Sequence, residues 1–180
     1  MIFIETKLKG AYIIDLEKRE DDRGFFARTW DGRIFEEQGL IGKAAQQSVS
    51  FNKARGTIRG MHYRKAPYQE TRLIRCTRGE IFDVIVDLRP ESHTFKQWLG
   101  MELTMDNYRM LYVPKDFAHG FQTLQNDTDV TYLMSEIHVP EAEAGFRYND
   151  PAFGIEWPLP VTMISKRDVN YSDYSMDPLN

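Results

Sequence analysis

The strongest pattern along the chain has period two. Phe82, Val84, Val86 and Leu88 fall on one side of an extended segment, and Ile81, Asp83, Ile85 and Asp87 fall on the other. Arg78-Gly79 signals a turn before this strand, and Arg89-Pro90 stops it. Runs of strand length also cover Thr57–Tyr63 and Arg72–Thr77 upstream, and Met110–Val113, Gly120–Leu124 and Val130–Met134 downstream. Helical signals are few. Asp31–Leu40 has Asp31 as an N-cap, acidic residues within and Gly39 as a stop, and a shorter helix is expected at Asp168–Tyr174. Short strands recurring at roughly ten-residue spacing predict an all-β antiparallel sandwich, jelly roll or barrel with one or two short helices. Gly56 and Gly60 do not make a phosphate loop, because no Gly-Lys-Ser/Thr follows and no helix opens there.

Composition bounds this picture without redirecting it. The 180 residues, 42% apolar and 28% charged, carry no repeat, linker or low-complexity tract, so one domain over residues 1–180 is expected. A chain of this size buries roughly 70% of its unfolded surface and needs no staples. The lone Cys76 can form no internal disulfide, which fits a reducing compartment. No apolar stretch approaches the roughly 18 residues of a membrane span, and Met1–Gly10 lacks the apolar centre of a signal peptide, so a cytoplasmic protein without membrane contact is expected.

Charge changes the picture more. The total of −4 argues against a general nucleic-acid binder, yet it hides a segregation. Lys53–Arg78 holds eight basic residues against the single acid Glu70, net +7, which leaves 15 basic against 26 acidic residues elsewhere, net −11. Arginines gathered at one end of a barrel suit a di- or triphosphate-like anion, which the planar guanidinium binds as a fork. Solvated outer faces paired to the acidic remainder would explain the same count. Strict alternation puts Arg59 on one face with Met61 and Tyr63, and puts His62 on the other.

Two of the four histidines stand out. His62 lies on a predicted strand, and His119 follows a predicted turn at Pro114–Ala118. Metal-binding barrels of this kind use His-x-His, then Glu, then a later His. Here Arg64 holds the second position and has no lone pair to offer, and Glu70 beside several arginines is a poor substitute, so no metal and no cofactor are expected.

Six ordered blocks carry a family resemblance: Asp22–Phe26, Arg55–Tyr63, Gly79–Arg89, Tyr112–Pro114 with Phe117–Phe121, Asn149–Pro151 and Ile164–Asp168. Together they resemble the dTDP-4-dehydrorhamnose 3,5-epimerases, from about Lys7 to Tyr174. The resemblance implies a cupin-type jelly roll, a homodimer with exchanged N-terminal strands, and a metal-free site for a nucleotide-linked 4-keto-6-deoxyhexose. A ketone at C4 acidifies the protons on C3 and C5, so a base can take one and an acid on the opposite face can return it inverted. By resemblance, His62 is the base and Asp168 the carboxylate that orients it. Arg72, where the family usually has Lys, stabilises the enolate oxygen. Arg23 and Arg59 hold the pyrophosphate, Phe26 and Gln46 lie near the nucleoside, His119 lines the pocket, and Arg167 is a further substrate-binding residue.

This chain departs from the pattern at Ser48 and Arg64, where the family commonly has Asn and Gln. The departure of most consequence is His138, standing where the resemblance implies a proton-donating tyrosine. Three readings of His138 remain open: an imidazolium acting as the acid, a poor donor that limits the chemistry to C3, to C5 or to 3,4-ketoisomerisation, or a solvent-facing strand end. A catalytically silent nucleotide-sugar binder is the rival from outside the enzymes.

Overall fold

The computed structural model describes residues 1–176. In chain order the strands are β1 (Ile2–Glu5), β2 (Tyr12–Asp15), β3 (Arg19–Asp21), β4 (Gly24–Phe26), β5 (Gln46–Asn52), β6 (Thr57–Arg64), β7 (Arg72–Arg78), β8 (Glu80–Asp87), β9 (Trp98–Thr104), β10 (Met110–Val113), β11 (Phe117–Thr123), β12 (Thr128–Met134), β13 (Glu143–Gly145) and β14 (Met163–Ile164). Helix α1 (Gly32–Glu37) precedes β5, and α2 (Lys166–Val169) follows β14. The first sheet has the order β1-β2-β10-β7-β12-β5, the second β13-β6-β11-β8-β9 with β14 parallel to β6, and β3 and β4 form a separate hairpin. From β5 to β13 the chain passes between the two sheets at almost every turn, which is the jelly-roll path and bears out the expected fold.

Both faces of β8 are buried, which is why its alternation is apolar on either side. Ile81 and Ile85 point between the sheets, among Ile74, Leu111, Phe121 and Val130. Val84 and Val86 point outward, under Phe146 and Phe153 of the C-terminal segment. The outer face of the first sheet is covered by α1 through Phe35, which packs with Ile14, Leu73 and Tyr112. Asp31 caps α1 as expected, its side chain accepting from the Arg33 N–H at 3.1 Å.

Three expectations need correction. The C-terminal helix is Lys166–Val169 rather than 168–174, because Ser165 caps it by accepting from the Asp168 N–H at 3.0 Å. The turn before His119 is shorter than Pro114–Ala118, since β11 begins at Phe117 and carries His119 within the strand. Strict alternation also fails on β6. There His62 pairs with His119 and Arg59 with Phe121, so three steps on β6 match two on β11. The extra residue is a β-bulge, and it brings Arg59 and His62 to the same cavity while Met61 turns into the outer core. Glycines permit the close crossing, for a Cβ on Gly60 would stand 2.6 Å from the Gly120 Cα.

Candidate active site

A cavity of 310 Å3 opens between the sheets at the end where β5, β6, β7, β11 and β12 converge. The second sheet contributes Arg59, His62 and His119 to one wall, and the first contributes Ser48, Arg72 and Tyr132 to the other. The two walls therefore present different chemistry to anything held between them.

On the first of these walls His62 Nε2 lies 2.8 Å from Asp168 Oδ1, and the Gly60 N–H donates to Asp168 Oδ2 at 3.3 Å. Burial pushes the Asp168 carboxyl up, but the His62 hydrogen bond and charge, the Gly60 N–H and Ser165 outweigh it and hold the group below the usual carboxylate range. An ionised carboxylate only accepts, so His62 Nε2 carries the proton and Nδ1 is the ring nitrogen left to act as a base. Beside it His119 Nε2 lies 2.8 Å from Asp83 Oδ1. Asp83 is buried completely, its Oδ2 has no hydrogen-bond partner among the described residues, and burial raises its carboxyl against the opposing pull of His119.

On the facing wall the Tyr132 ring stands edge-on to His119 at 6.0 Å. Burial and the Asp83 charge raise its phenol far above the ordinary tyrosine value, although Arg72 and Arg59 pull the other way, so Tyr132 is protonated at neutral pH. Arg72 donates through Nε to Glu70 Oε1 at 2.8 Å. Arg59 is anchored by Asn52 Oδ1 at 2.7 Å and the Phe51 carbonyl at 3.3 Å. Arg167 closes the mouth, paired with Glu143 at 2.6 Å.

The structure thus gathers His62, Asp168, Arg72, Arg59, His119, His138 and Arg167 around one cavity. Gln46 stands just behind the rim, where its Oε1 accepts from the His138 N–H at 2.5 Å. Arg23 and Phe26 are not brought in. They lie on the β3–β4 hairpin with Arg23 bonded to Asp21 and its side chain 89% exposed, and Phe26 is 65% exposed. His138 sits at the rim, its side chain 47% exposed, and accepts at Nδ1 from Arg64 Nη2 at 3.2 Å. The same Nδ1 lies 3.6 Å from Glu143 Oε1, so both neighbours hold the ring at the mouth of the cavity.

Tyr132, which lines the cavity, and Asp83, buried behind His119, were not singled out by sequence reasoning, and Glu70, which also lines the cavity, was weighed there only as a metal ligand. Each left a signal. Asp83 interrupts an apolar row between Ile81 and Ile85, Glu70 is the one acid in a basic segment, and Tyr132 stands within an apolar strand in step with Val130 and Met134. Among the described residues, no group of three or more His, Cys, Asp or Glu side chains is placed to hold a metal ion, and no helix is long and apolar enough to cross a membrane.

The sequence profile of a family described as dTDP-4-dehydrorhamnose 3,5-epimerase matches residues 5–175. A protein of that name from Methanothermobacter thermautotrophicus is 40% identical over 98% of this chain and 96% of its own length. A solved structure of a dTDP-4-dehydrorhamnose 3,5-epimerase from Bacillus anthracis, with TDP and PPi bound, superposes with a TM-score of 0.92 at 40% identity, covering 96% of this chain and 99% of that one. A 3'-monoepimerase from Streptomyces bikiniensis, solved with dTDP as a double variant, has a TM-score of 0.86 at 27% identity and covers 93% of this chain and 85% of that one. In that variant a histidine and a tyrosine seventy positions later are replaced. The profile match over nearly all its length, with relatives aligned end to end, places this chain in the dTDP-4-dehydrorhamnose 3,5-epimerase family.

Proposed function

We propose that the protein epimerises a nucleotide-linked 4-keto-6-deoxyhexose of the dTDP type at C3 and C5, working through an enolate in deoxysugar precursor synthesis. The observation that carries this reading is the division of the cavity: a carboxylate-backed imidazole on one sheet faces a protonated phenol and a guanidinium on the other. His62 removes the proton, and Asp168 stabilises the imidazolium that forms. Arg72 meets the charge developing on the C4 oxygen. Tyr132 returns a proton from the opposite face, which inverts the carbon.

Tyr132 takes the donor's role that the sequence resemblance had implied for position 138. Two facts support it: the ring lies deep on the facing sheet, and His62 and Tyr132 are seventy positions apart, as are the two residues replaced together in the Streptomyces relative. His138 is left at the rim, where it helps to frame the mouth. Arg59 and Arg167 hold the pyrophosphate. Arg23 and Phe26, exposed on their hairpin, reach the cavity of a second copy in a homodimer. The buried, unpaired Cys76 fits a cytoplasmic protein.

The test is to incubate the protein with dTDP-4-keto-6-deoxyglucose in deuterated water and follow C3 and C5 by proton NMR. Deuterium with inversion at both carbons is expected. Exchange at one carbon would make the protein a restricted epimerase, and tight binding without exchange would make it a silent binder. Tyr132→Phe should keep exchange at the abstracted position while inversion falls by about 10²-fold. Unchanged inversion would remove Tyr132 as donor.

A further inference from the structure

Glu70 touches two arginines at the inner edge of the cavity. Its Oε1 accepts from Arg72 Nε at 2.8 Å, and its Oε2 forms an ion pair with Arg64 Nη1 at 3.0 Å whose geometry falls outside that of a hydrogen bond. The Glu70 and Arg64 side chains are 3% and 4% exposed, so this cluster is sealed from bulk water. Arg64 also donates to the Ile137 carbonyl at 3.0 Å and to His138 Nδ1 at 3.2 Å, which ties it to the rim.

We propose that Glu70 is a positioning residue for the enolate-stabilising Arg72, and that Arg64 is the counter-charge that lets it do so without neutralising Arg72. This rests on the epimerase reading above. A guanidinium on a three-carbon stem has several rotamers, and a bond at Nε fixes the plane of the fork. Among the described residues no protein acceptor bonds the two terminal nitrogens of Arg72, so they remain for an oxygen in the cavity. A carboxylate alone would position Arg72 but would also cancel its charge. With Arg64 on the second oxygen the three groups carry a net charge of +1, and a positive field survives where the enolate forms.

Two paired replacements separate positioning from mere packing. Arg64→Gln with Glu70→Gln removes both charges but keeps an amide oxygen for Arg72 Nε. Arg64→Leu with Glu70→Leu removes the acceptor as well, and replacing a buried ion pair by apolar groups is compatible with folding. Both pairs are assayed for deuterium incorporation after thermal unfolding shows that they are folded. Should the Leu pair not fold, the same positions are changed to Met. The Gln pair is expected to keep a kcat at least about tenfold above the apolar pair, because displacing a catalytic cation by about 1 Å costs on the order of 10²-fold, with KM for the two pairs within threefold. Equal kcat values, or a difference confined to KM, would overturn the inference. Failure of the unaltered protein to exchange deuterium is a separate result, and it would overturn the epimerase reading itself.

Discussion

Two histidine–carboxylate pairs stand side by side in this cavity, and they differ in everything except their spacing. His62 and His119 are cross-strand neighbours on β6 and β11, and each places Nε2 at 2.8 Å from an aspartate. Asp168 comes from a helix at the far end of the chain, receives a backbone N–H besides its histidine, and is held below the usual carboxylate range. Asp83 projects from the middle of a core strand, leaves one oxygen without a partner among the described residues, and is raised by burial. The lesson is that distance does not assign a role. A carboxylate that stays ionised can stabilise an imidazolium through a catalytic cycle, whereas one that holds its proton more tightly serves better to fix the neighbouring ring.

The contrast can be broken from its strong side first. His62→Asn is expected to abolish exchange, a loss of about 10³-fold or more in kcat, as removal of a general base demands. Measurable exchange at both carbons would take the base assignment away from His62. Asp168→Asn should cost less, about 10²-fold, and should act on kcat more than on KM because the partner stabilises a charge that appears only during reaction. A loss seen mainly in KM would make Asp168 a binding residue. His119→Asn should lower kcat by about tenfold, the scale of one hydrogen bond. If it matches His62→Asn instead, the two pairs are equivalent and the contrast collapses.

Stability against pH sharpens the same contrast with a smaller signal. The folded pKa of Asp168 lies below its unfolded value near 3.9, so its stabilisation is complete above that value and disappears as the pH falls through the folded one. Asp83 has the opposite sign. Its folded form holds the proton more tightly, so its contribution is greatest at low pH and fades as the pH rises from about 3.9 through the raised folded value. Urea midpoints measured across this range should therefore show Asp168→Asn losing less stability than the parent on acidification. Asp83→Asn should lose less than the parent as the pH rises from about 4. Identical profiles for the two variants would contradict the opposed shifts.

Much of the fold was legible because its signals are local. Alternation over Ile81–Leu88, a turn at Arg78-Gly79 and a cap at Asp31 each need only neighbouring residues, and each has its counterpart in the structure. The bulge on β6 was not legible, because it depends on Gly60 meeting Gly120 from a strand some sixty residues away. Helix α2 could have been placed correctly, since Ser165-Lys166-Arg167-Asp168 has the spacing of a capping box. In the site, His62, Asp168 and the arginines were found through motif blocks. Tyr132 was missed because a tyrosine in an apolar strand reads as core until a facing sheet shows that it borders a cavity. Arg23 and Phe26 belong to the same blocks, yet a single chain gives them nothing to hold.

The bulge has a consequence for which changes this family member can absorb. Between Arg59 and His62 stand Gly60, where a Cβ would meet the Gly120 backbone, and the buried Met61, and the extra step they supply decides which side His62 faces. Three steps on β6 stand against two on β11, so regular pairing over the same residues would swing the imidazole through the sheet, out of reach of the sugar and into the oily layer that Met61 now fills. Flattening the bulge at unchanged length would turn the base inside out while leaving every recognisable letter of the motif in place.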